Sequence, residues 1–297
     1  MYNEENMKKN EKIEPTADWT SNSSVSSGLI ENTVNGANIR AHDLCTLRTP
    51  RLSERTLPRT ALASFMGSGN TWTRHLIQQM SGIATASIYC DRHLRNGGFP
   101  FECYRDFTKV SVVKTHRTKN GIDQYDRAIL LLRNPYDALI SAVNWKYAGH
   151  VGHASDETVR KDMDKMFEAL LGSYVKLVHL YIEKFEGPVL VLQYENMQDN
   201  LPDCLKELAD FLQLSISQED IDCTVHLQSG NFHRKSDPVA RQHLLQSVFE
   251  GEREEQIREA MTEVENILQQ KFNRPFKISK TLSELFNKLF GRNRINY

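Results

Sequence analysis

The chain has 297 residues, 39% hydrophobic and 25% charged, enough to bury one large core or two modest ones. Its 37 Lys and Arg stand against 38 Asp and Glu, so the overall charge selects neither nucleic acid nor an anionic membrane, and any anion site must be a local cluster. No stretch reaches the roughly 20 apolar residues of a membrane-spanning helix. Five cysteines without C-x-x-C spacing argue against a zinc site and a dense disulfide scaffold, and leave room for one bridge.

Residues 1 to about 57 are polar, rich in Asn, Ser, Thr and Glu, and read as a mostly disordered tail ahead of a domain spanning 58–297. The opening "MYNEENMKKNEK" lacks the apolar core of a signal peptide, so the chain as written is expected to be soluble and not secreted. Asn22-Ser-Ser is a glycosylation sequon that such a Ser/Asn-rich tail yields by chance. From about 58, short apolar runs alternate with amphipathic stretches, the pattern of an α/β fold with a parallel sheet. "TALASF" (60–65) predicts a buried strand and "WTRHLIQQM" (72–80) the helix behind it. "VSVVKTH" (110–116) and "AILLL" (128–132) predict the next two strands. In "RNPYDALIS" (133–141), Asn134 can cap a helix with Pro135 at its first position and Asp137 in its first turn. A long helix follows over roughly 157 to 185, with Met163, Phe167, Leu170, Tyr174, Val178, Tyr181 and Phe185 on one face, until Gly187-Pro188 stops it. "VLVLQYENM" (189–197) predicts the fourth strand, followed by a loop and the helix "PDCLKELADFL". Ser217 and Asp220 spell a capping box, and residues 241–297 are helical in pattern.

Ligands of open parallel sheets bind at the carboxyl ends of the strands. Polar clusters fall at consecutive predicted strand ends: Gly67–Arg74, Lys114–His116, Arg133–Asp137 and Tyr194–Glu195. Gly67 and Gly69 let backbone N–H groups approach an anion at a helix start; Ser68, Asn70, Thr71 and Thr73 add short donors and Arg74 a cation. A glycine-rich turn without ligand is the other reading of this stretch alone. Arg133 and Ser141 can point at one anion beside the second helix start, or Arg133 can close a strand-end salt bridge. His116 fits either a general base near neutral pH or a hydrogen-bonded structural histidine. His150 and His153 in "GHVGH" have no third ligand at sensible spacing, so no metal is expected.

Taken in order, the glycine loop, K-T-H, R-N-P-x-x-x-x-x-S, Y-E and a late F-x-R-K resemble the sulfotransferases that use 3′-phosphoadenosine 5′-phosphosulfate (PAPS). The likeness runs from about 60 to 240, with a helical part over 241–297, and within that family "GSGNTWTR", "RNPYDAL", "AGHVGHA" and "GNFHR" are most similar to the animal sulfotransferases that carry WSC domains, here by their catalytic domain only. The resemblance implies a three-layer α/β fold with a P-loop-like phosphate-binding loop. It implies that Gly67 to Thr71, with the Ser68, Thr71 and Thr73 hydroxyls, hold the 5′-phosphosulfate, and that Arg133, Ser141, Arg234 and Lys235 grip the 3′-phosphate. Trp72 and Tyr194 match positions against the adenine, although core packing also explains Trp72. His116 matches the base that takes the acceptor proton, with Asp91 or Glu102 as the carboxylate alternative.

The sequence departs from the family's pattern at three points. Gly67 stands where many cytosolic members carry a catalytic lysine, Met66 replaces the usual proline, and Ser236 replaces the glycine after the R-K pair. The missing lysine means that the loop is not built for a nucleoside triphosphate with magnesium, and Arg74 and Lys114 are the candidates for the cation at the leaving oxygen. The expectation is therefore sulfuryl transfer from PAPS, as co-substrate and without metal, to a hydroxyl acceptor. The resemblance favours a carbohydrate, with sialylated glycans its furthest extension, and suggests the Golgi lumen. Acceptor-binding residues are expected in 81–105 and 145–156. A P-loop kinase would need a loop lysine and an acidic magnesium ligand, and "KTH" and "RNP" stand at those strand ends instead. A nucleotide-binding homologue without activity is the other alternative.

Overall fold

The computed structural model describes residues 45–235, 237–278 and 284; the Asn22 sequon, most of the expected tail, Ser236 and nearly all of the segment from 279 lie outside them. Five strands form one parallel sheet in the order β2-β3-β1-β4-β5. They are β1 (Thr60–Ser64), β2 (Ala86–Ser87), β3 (Val113–Thr115), β4 (Arg127–Leu132) and β5 (Val189–Gln193). Side chains alternate across the sheet as strand geometry requires. Ala61, Ala63, Ala128, Leu130 and Val191 enter one core, under the helices α3 (Pro135–Ala148), α4 (Asp156–His179), α8 (Pro238–Phe249) and α9 (Glu252–Phe272). Leu62, Ile129, Leu131, Leu190 and Leu192 enter the other, under α1 (Asn70–Ser81), α5 (Tyr194–Asp199), α6 (Leu201–Leu212) and α7 (Gln218–His226). The result is the expected three-layer α/β arrangement, with β1 central and its carboxyl end flanked by those of β3 and β4.

Local signals account for the helix boundaries. Asn134 caps α3 by accepting from Tyr136 N, with Pro135 at the first position, and Ser217 and Asp220 form the full capping box of α7. Ser155 caps α4, which passes into a π-helical turn, Leu180–Lys184, before β5. Two stretches differ from the sequence reading. β5 ends at Gln193, and "YENMQD" is the short helix α5, because Tyr194 and Glu195 are turned back onto the loops after β1 and β4. Residues 46–57, expected as the end of the tail, belong to the same compact unit as the sheet. Arg51 exchanges backbone bonds with Gly82 and Ala84, Ser53 and Leu57 bond to the Thr108–Lys109 turn, and Leu57 is buried. Their order comes from backbone pairing, which needs no apolar period. The two-residue β2 was also not foreseen; Cys90 and Cys103 just beyond it form a disulfide.

Candidate active site

The loop between β1 and α1 is built on positive backbone dihedrals, φ +81° at Gly67 and +95° at Gly69. At both glycines the backbone is also closely approached. A Cβ on Gly67 would lie 2.5 Å from the Ala138 carbonyl oxygen and 2.8 Å from Ser141 Cβ, and one on Gly69 would lie 2.5 Å from the Tyr194 ring. A lysine at position 67 is therefore excluded twice, by strain and by α3. The buried Ser68 Oγ at the loop's centre has no hydrogen-bond partner among the described residues.

Arg133, at the end of β4, donates from Nη1 to Gly67 O at 2.8 Å and lies over the Tyr194 ring at 4.3 Å. Its backbone is fixed by Tyr174 Oη donating to Arg133 O (2.9 Å) and by the next amide, Asn134 N, donating to Glu195 Oε1 (2.9 Å). Its buried Nε has no partner among the described residues. Arg234 arrives from the late loop and donates from Nη1 to Ser141 Oγ at 3.0 Å. Its Nε and Nη2 donate to Gly152 O and Gly149 O at 2.7 and 2.9 Å. Burial, and the like charge of Arg133, lower its pKa. Two guanidiniums facing one another at a glycine loop repel across a medium less polar than water, an arrangement that an anion between them relieves. The close-approach glycines, the orphaned Ser68 Oγ and the orphaned Arg133 Nε fit a phosphate-bearing ligand.

The end of β3 supplies the acid–base groups. Pairing of Ala63 with Thr115 sets His116 beside Ser64. His116 Nδ1 lies 2.7 Å from Ser64 O. A carbonyl only accepts, so Nδ1 carries the proton and the neutral ring presents a bare Nε2. Burial, reinforced by the charge of Lys114, pulls the His116 pKa down to about 3, so the ring is neutral across the physiological range. Tyr89 stacks on it at 5.6 Å and accepts the His116 backbone N–H at 2.8 Å. Lys114 is buried on the α1 face with Nζ 5.9 Å from the Tyr89 ring centroid. Burial depresses its pKa to about 8, partly offset by the charge of Glu102.

Not every expected residue reaches this centre. Arg74 is fully buried, donating to Thr85 Oγ1 (2.9 Å) and Glu102 Oε2 (2.5 Å) and lying over the Phe99 ring. Both side chains are fully buried in this pair, and Arg74 Nη1 and Glu102 Oε1 have no hydrogen-bond partner among the described residues. Buried Thr73 donates to Gly69 O at 3.2 Å and closes the first helical turn. Asn70, also buried, ties the loop to β1 by donating to Leu62 O (3.0 Å) and Ser64 Oγ (3.2 Å). Thr71 is half-buried at the helix start, and Lys235 is exposed. Trp72 meets Tyr194 edge-on at 5.4 Å and donates to Gln228 O at 3.0 Å. Asp91 caps α2 (Arg92–Asn96) and pairs with His150 Nε2 at 2.8 Å, which holds its carboxyl well below the usual range. His153 instead bonds Lys235 O, so the two histidines of "GHVGH" do not converge. His93 and Phe232 complete an aromatic cluster around His150. Tyr89 was missed, its one signal being adjacency to Cys90-Asp91; Phe232 is the aromatic of the F-x-R-K motif and packs here on His93 and His150.

A family model described as "Sulfotransferase domain" matches residues 57–292, and the chain belongs to that family. The WSCD family member CG9164 of Drosophila melanogaster is 36% identical over 181 residues, 59% of this chain and 57% of that protein. The WSCD family member AAEL009094 of Aedes aegypti is 34% identical over the same shares. The chain thus spans 57% of the length of these curated relatives. Among solved structures, mouse sulfotransferase SULT7A1 complexed with PAP aligns with 79% of this chain and 90% of its own, at 14% identity and a TM-score of 0.45.

Proposed function

We propose that the chain transfers the sulfuryl group of PAPS to an acceptor hydroxyl. The observation that carries this reading is the convergence of Arg133, Arg234 and Ser141 on the back of Gly67: a second phosphate site beside a glycine loop. A nucleotide with both a 3′- and a 5′-phosphate matches two such sites, and ADP matches one. Gly67 to Thr71 with Ser68 would hold the 5′ end, Arg133, Ser141, Arg234 and the exposed Lys235 the 3′-phosphate, and Trp72 and Tyr194 the adenine.

In the transfer step the acceptor oxygen bonds to sulfur as the bond from sulfur to the phosphate oxygen breaks. The acceptor proton passes to the bare Nε2 of His116, and the Lys114 ammonium offsets charge on the departing phosphate. Lys114 takes this part because Arg74 is committed to Glu102. No metal ion has a part in these steps.

The acceptor is proposed to be a carbohydrate carrying a negative charge, as a sialylated glycan does. Exposed Arg92, His93 and Arg95 lie on α2, where His93 packs on His150 and Phe232 of the loops that also bear His153, His233 and Lys235, while Asp91 is hydrogen-bonded to His150 and Glu102 is paired with Arg74. A persisting disulfide supports an oxidising compartment such as the Golgi lumen. Calorimetry with 3′-phosphoadenosine 5′-phosphate (PAP) and with ADP tests the donor site. PAP is expected to bind far more tightly, and Arg133→Ala to weaken it about 10–100-fold, or ~1.5–3 kcal/mol for one charge-assisted contact. Equal binding of the two nucleotides, or of neither, would overturn the reading. The absent loop lysine favours one alternative, an inactive homologue that binds PAP and forms no sulfated product.

A further inference from the structure

We propose that the Cys90–Cys103 disulfide is a positioning device for the reaction centre: closed, it holds Tyr89 against His116 and Lys114; opened, it releases them. This rests on the proposed roles of His116 and Lys114. The sheet edge is weak beside the bridge. β2 is two residues long, and the backbone bond from Ile88 N to Lys114 O carries its pairing with β3 one residue further. Tyr89 and Cys90 lie just beyond, and Cys90 has φ +57°, the left-handed region that a residue with a side chain occupies only when its surroundings hold it there.

The other end of the bridge is firmly seated. Cys103 follows Glu102, whose carboxylate is buried on Arg74 and whose backbone accepts from Ser87 N at 3.2 Å and donates to Phe99 O at 2.9 Å. The bridge thus joins a strained strand end to an anchor on α1. Each residue flanking Cys90 contacts the site. Tyr89 stacks on His116, accepts its backbone N–H and lies beneath Lys114. Asp91 holds His150 and, with it, the loop to which Arg234 donates. The rest of the donor cradle is built elsewhere, from the ends of β1, β4 and β5 and from α3. Reduction by a dithiol, which leaves as its own disulfide, converts the bridge to two thiols and frees Cys90 to leave its left-handed conformation.

The experiment uses the full chain as wild type, Cys90→Ser/Cys103→Ser and Tyr89→Leu, because reductant alone would also reach other disulfide-bonded cysteines. The readouts are NMR titration of the His116 ring and calorimetric binding of PAP. The wild-type ring is expected to stay neutral well into the acid range. In both variants its titration is expected to rise toward the ordinary value of 6.5 by at least about one pH unit, as water reaches the ring. In Tyr89→Leu, PAP affinity is expected to stay within about threefold, because its contacts are to His116 and Lys114; in the double variant a larger loss is expected, through Asp91, His150 and the loop that holds Arg234. An unchanged His116 titration in either variant overturns the proposal. Loss of PAP affinity in Tyr89→Leu also overturns it, since Tyr89 would then support the whole domain and not the reaction centre alone. Should the double variant fail to fold, Tyr89→Leu decides alone. If wild type does not bind PAP, the donor assignment fails while the His116 result still decides the role of the bridge.

Discussion

Gly67 shows how one atom constrains the chemistry. Its hydrogen faces the backbone of α3, and Gly67→Ala combines a left-handed φ with a 2.5 Å contact. A loss of about 2–4 kcal/mol in stability is expected, seen as a lower melting temperature. On the proposed mechanism, Lys114 supplies the charge that a lysine at this position would bring. Its ammonium is present below a pKa of about 8 and lost above it, whereas His116 is unprotonated at any pH above about 3. Turnover is therefore expected to be flat through the neutral range and to fall as pH rises past about 8. Lys114→Arg keeps its charge there, so a slower enzyme without that alkaline limb is the expected outcome of a kcat–pH profile.

At the level of elements, α4 and α9 are joined by a histidine clamp. His179 reaches Glu183 with Nδ1 (2.9 Å) and Glu263 with Nε2 (2.6 Å), and these bonds raise its pKa. A raised folded-state pKa adds stability that is fully present below 6.5 and is lost as pH rises through the folded value. Melting temperature should fall between pH 6 and pH 8 in wild type, and by less in His179→Gln. The long α4 and the capped start of α3 were legible because their signals are local: a 3.6-residue apolar period and an Asn-Pro pair. Helix α5 was not. "YENM" continues the apolar pattern of β5, and only Gly69 and Asn134, far away in sequence, turn it into a helix. Residues 46–57 were missed for a similar reason, since backbone pairing leaves no mark on composition.

Across the whole molecule, the parallel order placing β1 between β3 and β4 brings three motifs to one end of the sheet. Motif order along the chain therefore pointed to this end of the sheet in advance. For the acceptor the reading reached only the ranges 81–105 and 145–156, which hold α2 and the loop after α3, while the loop before α8 also packs against them. These meet through His93, His150 and Phe232, rings that the fold brings together from three separate stretches of the chain. Arg234 spans both sides, bonding Ser141 on one and Gly149 and Gly152 on the other. The Cys90–Cys103 link has a practical corollary for anyone preparing the protein. Material produced in a reducing bacterial cytosol would emerge without it, bind PAP more weakly and turn over poorly. Such a sample would pass for a pseudoenzyme, so the expression host must be chosen before activity is judged.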